Sequence, residues 1–464
     1  MEGLCNGKER IVRRVRLGAG VAFWGDNLRP AVEMVERGDI DYLCCDHLAE
    51  LTMSILNKQK RSRPDRGYTR DFLQLMGDVL PQCKAKGIKI ISNAGGANPP
   101  ALVSQLVALA AKLGVTGLKI ATVTGDDILD SIDELEANGA DFSNMETGEP
   151  LASVRDRLTH ANVYIGCDGI VEALENGADV VICGRVTDIA LYLGPMRYEL
   201  GWAADDWEKL GIGTAAAHCI ECGGQGTGGL FAGGWQRIPR LEEIGYPIAD
   251  VYENGDVVLG KTPDSGGEVS VATVSEQLLY EILDPGNYLT ADATADISNI
   301  ALEDVGPDQV RMTQVAGKPR PATLKVNMGY RAGFVGEATW SYTWPDAYEK
   351  ARAAVTLLEK KLDMVDFTAE ERRVEYIGHN SMWGSVVEPP DDPEALEITV
   401  RYAARCPTLE EAEKVYTEMV PLCNNGPAGH GGITTRPPIK ELFALWPCLI
   451  PRDAIDIQVA YTQI

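Results

Sequence analysis

Asp46 and Glu50 follow the apolar run Ile40–Cys45 and stand four residues apart, so a helix beginning there carries both carboxyls on one face. Two close carboxyls can split their pKa values and act as general acid and general base. The same spacing suits an N-cap with a first-turn glutamate. Arg185 follows a second apolar run, Val180–Cys183, in a glycine context. A planar, permanently charged guanidinium there suits a carboxylate or phosphate anchor, unless an ion pair with Asp188 or Asp168 uses it. The loop Asn93–Asn98, with Gly95 and Gly96, offers backbone N–H groups and two amides ahead of Pro99 and Pro100. Such an end can hold an anion or a developing enolate, while Asn98 alone would serve as an N-cap.

Asp126 and Asp127, with Asp168 or Asp188, could bind Mg²⁺ through oxygens, although acidic pairs at helix starts also act as caps. Cys222, just ahead of the glycine-rich stretch Gly223–Gly229, could attack a thioester or be a buried helix thiol. His218, Glu221 and Cys222 could meet at zinc, but no distant ligand set accompanies them. Cys219 and Cys222 form a lone CxxC, which reads as two helix thiols. His430, in a glycine-rich loop with Asn424 and Asn425, reads as a lid residue, and His379 is a further candidate.

These groups need a scaffold, and the first 215 or so residues supply its rhythm. Strand-like runs at Ile11–Leu17, Ile40–Cys45, Ile88–Ser92, Leu118–Val123, Val163–Ile165 and Val180–Cys183 alternate with helical patterns. Solidly apolar strands in such alternation imply a mainly parallel sheet covered on both faces. Each run ends in polar and glycine-rich residues, where α/β sheets bind ligands. Gly20, Trp24 and Asp26 belong to the first of these ends, and Gln225 and Thr227 to a later glycine loop. Tyr246–Leu259 and Ser270–Val274 have β character and read as strands appended to this domain. Lys318–Pro321 looks like a linker. Beyond it the order β-α-β-β-α-β, closed by a strand at Ile455–Tyr461, suggests a smaller α+β, ferredoxin-like domain. The expected division is therefore residues 1–320 and 321–464.

With 464 residues and a formal charge of −25, the chain has room for two or three domains and repels nucleic acid. No apolar run approaches a bilayer span, and the polar start is no signal peptide. Eleven cysteines, an odd number and many in apolar contexts, favour reduced thiols and a cytoplasmic setting. Gly18-Ala19-Gly20 lacks the third glycine of a dinucleotide fingerprint, since Phe23 stands there.

Several of these stretches match a known family. Gly20–Asp26 (GVAFWGD), Asp41–Met53 (DYLCCDHLAELTM), Ser92–Pro99 (SNAGGANP), Thr124–Asp127 (TGDD) and Cys183–Asp188 (CGRVTD) resemble the acyclic terpene utilisation (AtuA-like) family. Glu221–Gly229, Gly245–Asp250, Ser275–Pro285 and Val305–Val310 extend the resemblance over about the first 330 residues. His47 departs from the family pattern, which has an aromatic residue there; its ring either substitutes for one or adds a titrating group beside Asp46. The resemblance implies metabolism of a small carboxylate or an acyl-CoA. Together with the residues it points to a lyase, hydratase or isomerase working by proton abstraction beside a carbonyl, without a redox cofactor. The competing expectation is a non-catalytic binding or accessory subunit of a pathway enzyme. Self-association through the ferredoxin-like domain, giving a homo-oligomer, is also expected.

Overall fold

The computed structural model describes residues 12–384, 386, 395–432 and 436–464. It is a mixed α/β fold of two compact units. One comprises the described residues up to Gly329 with Leu445–Ile464, the other Tyr330–Ala444.

The larger unit is laid out by alternation. Strands β1 (Arg14–Val21), β2 (Tyr42–Cys45), β3 (Lys89–Ser92) and β4 (Lys119–Thr124) are separated by helices α1 (Arg29–Arg37), α2 (Glu50–Ser62), α3 (Asp71–Lys86) and α4 (Pro99–Leu113). After α5 (Ile132–Ala137) come β5 (Leu158–Val163), α6 (Asp168–Glu175), β6 (Val180–Cys183), α7 (Ala190–Leu200) and α8 (Trp207–Glu221). Then β7 (Pro247–Tyr252) and β8 (Val257–Lys261) precede α9 (Val271–Leu279). The short strands β9 (Tyr288–Leu289), β10 (Thr294–Asp296), β11 (Ala301–Gly306), β12 (Gln309–Thr313) and β13 (Ala316–Lys318) follow.

Strands β1, β2, β3, β6 and β4 lie side by side and parallel. Every residue of β2 and β6 is buried, as expected of strands covered on both faces. Helices α1, α3 and α4 close one layer through Met34, Phe72, Leu75 and Leu106, and α7 and α8 pack on β1, β2 and β7. Pro99 and Pro100 open α4, and Gly114 ends it in the left-handed region at φ +70. Antiparallel β7, β8, β12 and β11 extend the sheet beyond β1.

Three expectations are corrected. The run at Val163–Ile165 is not a strand of the parallel sheet: β5 ends at Val163 and pairs with β14 (Thr323–Thr343), and Ile165 makes only an isolated bridge to Val186. Ser270–Val274 is helical; Ser270 caps α9 by accepting the Thr273 N–H, so a β-rich composition lost to a capping box. The strand read at Ile455–Tyr461 is β19 (Gln458–Gln463), and it pairs antiparallel with β4 at the edge of the large sheet.

The smaller unit has the sheet order β15 (Glu371–Ile377), β16 (Glu397–Cys406), β14, β17 (His430–Gly431), and β18 (Lys440–Pro451) also pairs with β14. Helices α10 (Ala347–Asp363) and α11 (Leu409–Met419) cover Trp340, Tyr342, Val400 and Tyr402. A short α12 (Leu422–Asn425) follows. The elements β14, α10, β15, β16, α11 and β18 run in the order β-α-β-β-α-β, but the closing strand expected at Ile455–Tyr461 is not among them. Among the described residues no helix is long and apolar enough to cross a membrane.

Candidate functional site

The carboxyl ends of the parallel strands converge, and glycine lets their loops approach. A Cβ on Gly20 would sit 2.4 Å from Cys45 Sγ, and one on Gly95 2.5 Å from the Cys183 carbonyl. Gly96, at φ +50, is pressed against Leu56. The β3 loop thus lies on the ends of β2 and β6. There Asn93, fully buried, donates to Asp46 Oδ1 at 2.7 Å and accepts the His47 N–H at 2.7 Å. Asp46 Oδ1 also accepts the Leu48 N–H at 3.0 Å. Burial and the nearby Asp188 push the Asp46 carboxyl well above the usual carboxylate range, against the pull of Arg185.

Arg185 is 1% exposed. Its Nε donates to the Val186 carbonyl at 2.9 Å, one terminal nitrogen to the Leu48 carbonyl at 2.7 Å, and the other to Asp188. The guanidinium lies 4.3 Å above the Tyr164 ring. Its backbone N–H donates to Asp126 Oδ2 at 2.9 Å, which also accepts from Asn162 at 2.8 Å. Burial pushes the Asp126 carboxyl up to about 6. The ion pair with Asp188 therefore forms, and with the two carbonyls it takes three of the five guanidinium N–H donors.

Two recesses open here. One, of about 360 Å³, is polar: Asp46, Glu50, Arg185, Asp188, Glu221 and Glu281 line it, with Cys222, Gln225 and Tyr280. The other, of about 390 Å³, is lined largely by apolar groups, among them Ile189, Tyr288, Leu289, Leu324 and Leu449. Asp188, Glu221 and Glu281 belong to both, so the recesses adjoin.

Glu221 and its partner His218, at the end of α8, were weighed in the sequence only as zinc ligands. His218 is fully buried; Nδ1 lies 3.0 Å from Glu221 Oε1 and Nε2 3.0 Å from the Gln277 carbonyl. The second oxygen, Oε2, is buried and has no hydrogen-bond partner. Burial pushes the Glu221 carboxyl up to about 7, against the pull of His218. A His-x-x-Glu spacing placing both on one helix face was the available signal.

Other candidates sit as follows. Glu50 opens α2, whereas Asp46 precedes the helix; the two share the polar recess but not a helix face. Burial opposes the Glu50 carboxylate, yet its own backbone N–H, Lys325 and Arg185 hold it below the usual range. His47 is fully buried, its ring edge-on to Phe72 as an aromatic would pack and its Nδ1 3.5 Å from the Asp71 carboxylate. Trp24 packs on Leu48, Met53 and Leu56. Asp26 clips its own loop, accepting from Ala22 N–H at 2.9 Å and Tyr246 O–H at 2.7 Å.

Asn98 gives its amide to the carbonyls of Pro64 and Arg66, and so neither caps α4 nor faces the cleft. Thr227 donates to the Gly245 carbonyl at 2.6 Å. Burial, with Glu221 beside it, pushes the Cys222 thiol up, which opposes a thiolate nucleophile. The magnesium grouping does not assemble. Asp127 lies 3.8 Å from Lys60, while Asp168 pairs with Arg197 at 2.5 Å and Arg320 at 3.2 Å. Among the described residues no three or more His, Cys, Asp or Glu are grouped to hold a metal ion. His430 pairs in register with Tyr342 and packs edge-on to its ring within the smaller unit, and His379 stacks on Tyr348 there. Asn424 and Asn425 end α12 of the same unit.

A model of the family described as acyclic terpene utilisation family protein AtuA matches residues 15–461. No curated protein and no solved structure matches the chain.

Proposed function

The chain belongs to the acyclic terpene utilisation family, and from that membership we propose an acid–base enzyme acting, without a redox cofactor, on the CoA thioester of a branched acid. The reaction would be a hydration, elimination or isomerisation beside the carbonyl. The observation that carries this reading is the pairing of a carboxyl-rich recess with an apolar one that shares Asp188, Glu221 and Glu281. An apolar chamber beside a polar one suits a hydrocarbon chain ending in a carbonyl.

The charge balance favours the thioester over the free acid. Five carboxyl groups line the polar recess, Asp46, Glu50, Asp188, Glu221 and Glu281, against the one guanidinium of Arg185. Two like charges ~4 Å apart repel by the order of 4 kcal/mol at an effective dielectric of ~20. Three of the Arg185 donors are bonded to Val186, Leu48 and Asp188 and Lys325 of the adjoining recess lies 3.5 Å from Glu50, so a free carboxylate would compete with carboxyls already paired to these cations. A thioester carbonyl is neutral, and protonated carboxyls such as Asp46 can donate to it. Incubation with branched acyl-CoA thioesters and the matching free acids, followed by mass spectrometry, tests the reading. Conversion of the thioester alone is expected. Binding without conversion would instead favour the accessory-subunit reading, and conversion of the free acid alone would remove the charge argument.

A further inference from the structure

We propose that Glu221 is the group that moves the substrate proton, with His218 as its positioning residue. This deepens the acid–base reading above and rests on it.

A backbone carbonyl only accepts, so the 3.0 Å contact from His218 Nε2 to the Gln277 carbonyl requires a proton on Nε2. Nδ1, 3.0 Å from Glu221 Oε1, then meets a carboxyl oxygen across a gap that needs one proton. An imidazolium facing a carboxylate satisfies it, and so does a neutral imidazole facing a carboxylic acid. The two forms differ only in which atom holds that proton. The ring is also fixed: the Gln277 amide donates back to the His218 carbonyl at 3.1 Å, and Tyr288 lies edge-on at 5.3 Å. What the contact leaves free is Oε2, buried and unpartnered on a residue that lines both recesses. A buried acceptor without a partner carries a desolvation penalty that a ligand proton would relieve.

Several charged and titratable groups around it disfavour a bare anion. Asp188 comes from the β6 loop, Glu281 from the segment after α9, Cys222 from the same helix end, Tyr192 from α7 and Tyr288 from β9. His218 pulls the other way, and the Arg185 guanidinium lines the same polar recess. A carboxyl held between these influences has the protonation balance that a general base needs near neutrality.

The step balances without a co-reactant. Glu221 Oε2 takes a proton from the carbon beside the thioester carbonyl. The C–H electron pair moves to the carbonyl oxygen as an enolate. Glu221 Oε2 then returns the proton to the original carbon or, where the substrate is a β,γ-unsaturated thioester and the anion a dienolate, to its γ-carbon.

Two measurements test this. The first uses isovaleryl-CoA and 3,7-dimethyloctanoyl-CoA in D₂O, with deuterium gain read by mass spectrometry. Wild-type protein should incorporate deuterium, and Glu221→Gln should lower the rate by about 10²-fold or more while melting normally. His218→Asn should keep part of the rate. Its pH–rate midpoint should move to higher pH, because His218 lowers the Glu221 pKa. A merely structural histidine would not shift that midpoint. Exchange that survives Glu221→Gln overturns the assignment and leaves the enzyme reading intact. Absence of exchange in wild type overturns the enzyme reading.

The second measurement needs no substrate. Only five histidines are present, so ¹⁵N-histidine labelling resolves the His218 ring. A shared-proton Nδ1 signal near neutral pH that becomes an unprotonated type in Glu221→Gln is expected. An Nδ1 that is already unprotonated in wild type, or unchanged by the substitution, overturns the dyad.

Discussion

Two clusters in the larger unit join arginine to aspartate at the ends of apolar runs, yet they behave oppositely. Around Arg185, one buried guanidinium faces both Asp188 and Asp46. Around Asp168, two guanidiniums, Arg197 and Arg320, converge on one carboxylate, and the buried Asp292 is held apart on the Cys167 N–H. Burial opposes the charge in each place. Where cations are in excess, Arg197 and Arg320 hold Asp168 below the usual carboxylate range. Where carboxyls are in excess, Asp46 lies well above it. Burial is the first cause at Asp46 and also lifts Asp292, close to Arg197, above the usual range, so a carboxyl is held low here only where guanidiniums pair with it directly, as at Asp168.

That contrast can be broken at its cations first. Arg185→Met should have the largest effect, about 3–5 kcal/mol lost in denaturant titration, because it strands the bonded Asp188 and the carbonyls of Leu48 and Val186. Arg197→Met should cost less, about 1–2 kcal/mol by the same method, since Arg320 still pairs with Asp168. Asp46→Asn should leave stability at pH 7 nearly unchanged, because an amide oxygen can still accept from Asn93 and Leu48 and no buried charge remains. Turnover should fall in the same variant; a loss of several kcal/mol in stability would show that Asp46 is an ionised structural anchor.

The smallest effect is in pH dependence. Asp126 has its folded pKa raised to about 6, so the folded chain binds this proton more tightly than the unfolded one. Its contribution to stability therefore grows as pH falls from above 6 towards ~4, by at most about 1.4 kcal/mol per pH unit. Asp168, with its folded pKa lowered, works in the opposite sense: its stabilisation is complete above the unfolded value and lost as pH falls through the folded one. Melting temperatures from pH 7 to 3 should show the Asp126 component missing in Asp126→Asn and the low-pH loss reduced in Asp168→Asn.

The parallel strands were legible because apolar residues dominate them, without interruption in β2 and β6, and polar, glycine-rich ends marked the edge where Asp46, Arg185 and Asp188 meet. Pairing was not legible. The run at Val163–Ile165 has the composition of a core strand, but the preceding residues pair with β14 more than 150 positions away, as the Thr159 bond to the Gly329 carbonyl shows. Nor could the last strand announce its return to β4, since alternation records one buried face and not the partner. At the site, residue type identified Arg185 but could not show that three of its donors bond Val186, Leu48 and Asp188. His218 and Glu221 were hidden for a related reason: an apolar helix with polar residues three apart has no distinctive composition until Gln277 fixes one ring nitrogen.

The central claim is that this carboxyl-lined cleft takes a neutral carbonyl head with a hydrocarbon tail. The most direct measurement is calorimetric titration of the protein at pH 7 with a branched ten-carbon acid and with the uncharged amide of the same acid. The amide should bind at least about tenfold tighter, about 1.4 kcal/mol, and the acid should gain affinity as pH falls. Equal or tighter binding of the carboxylate at pH 7 would contradict it.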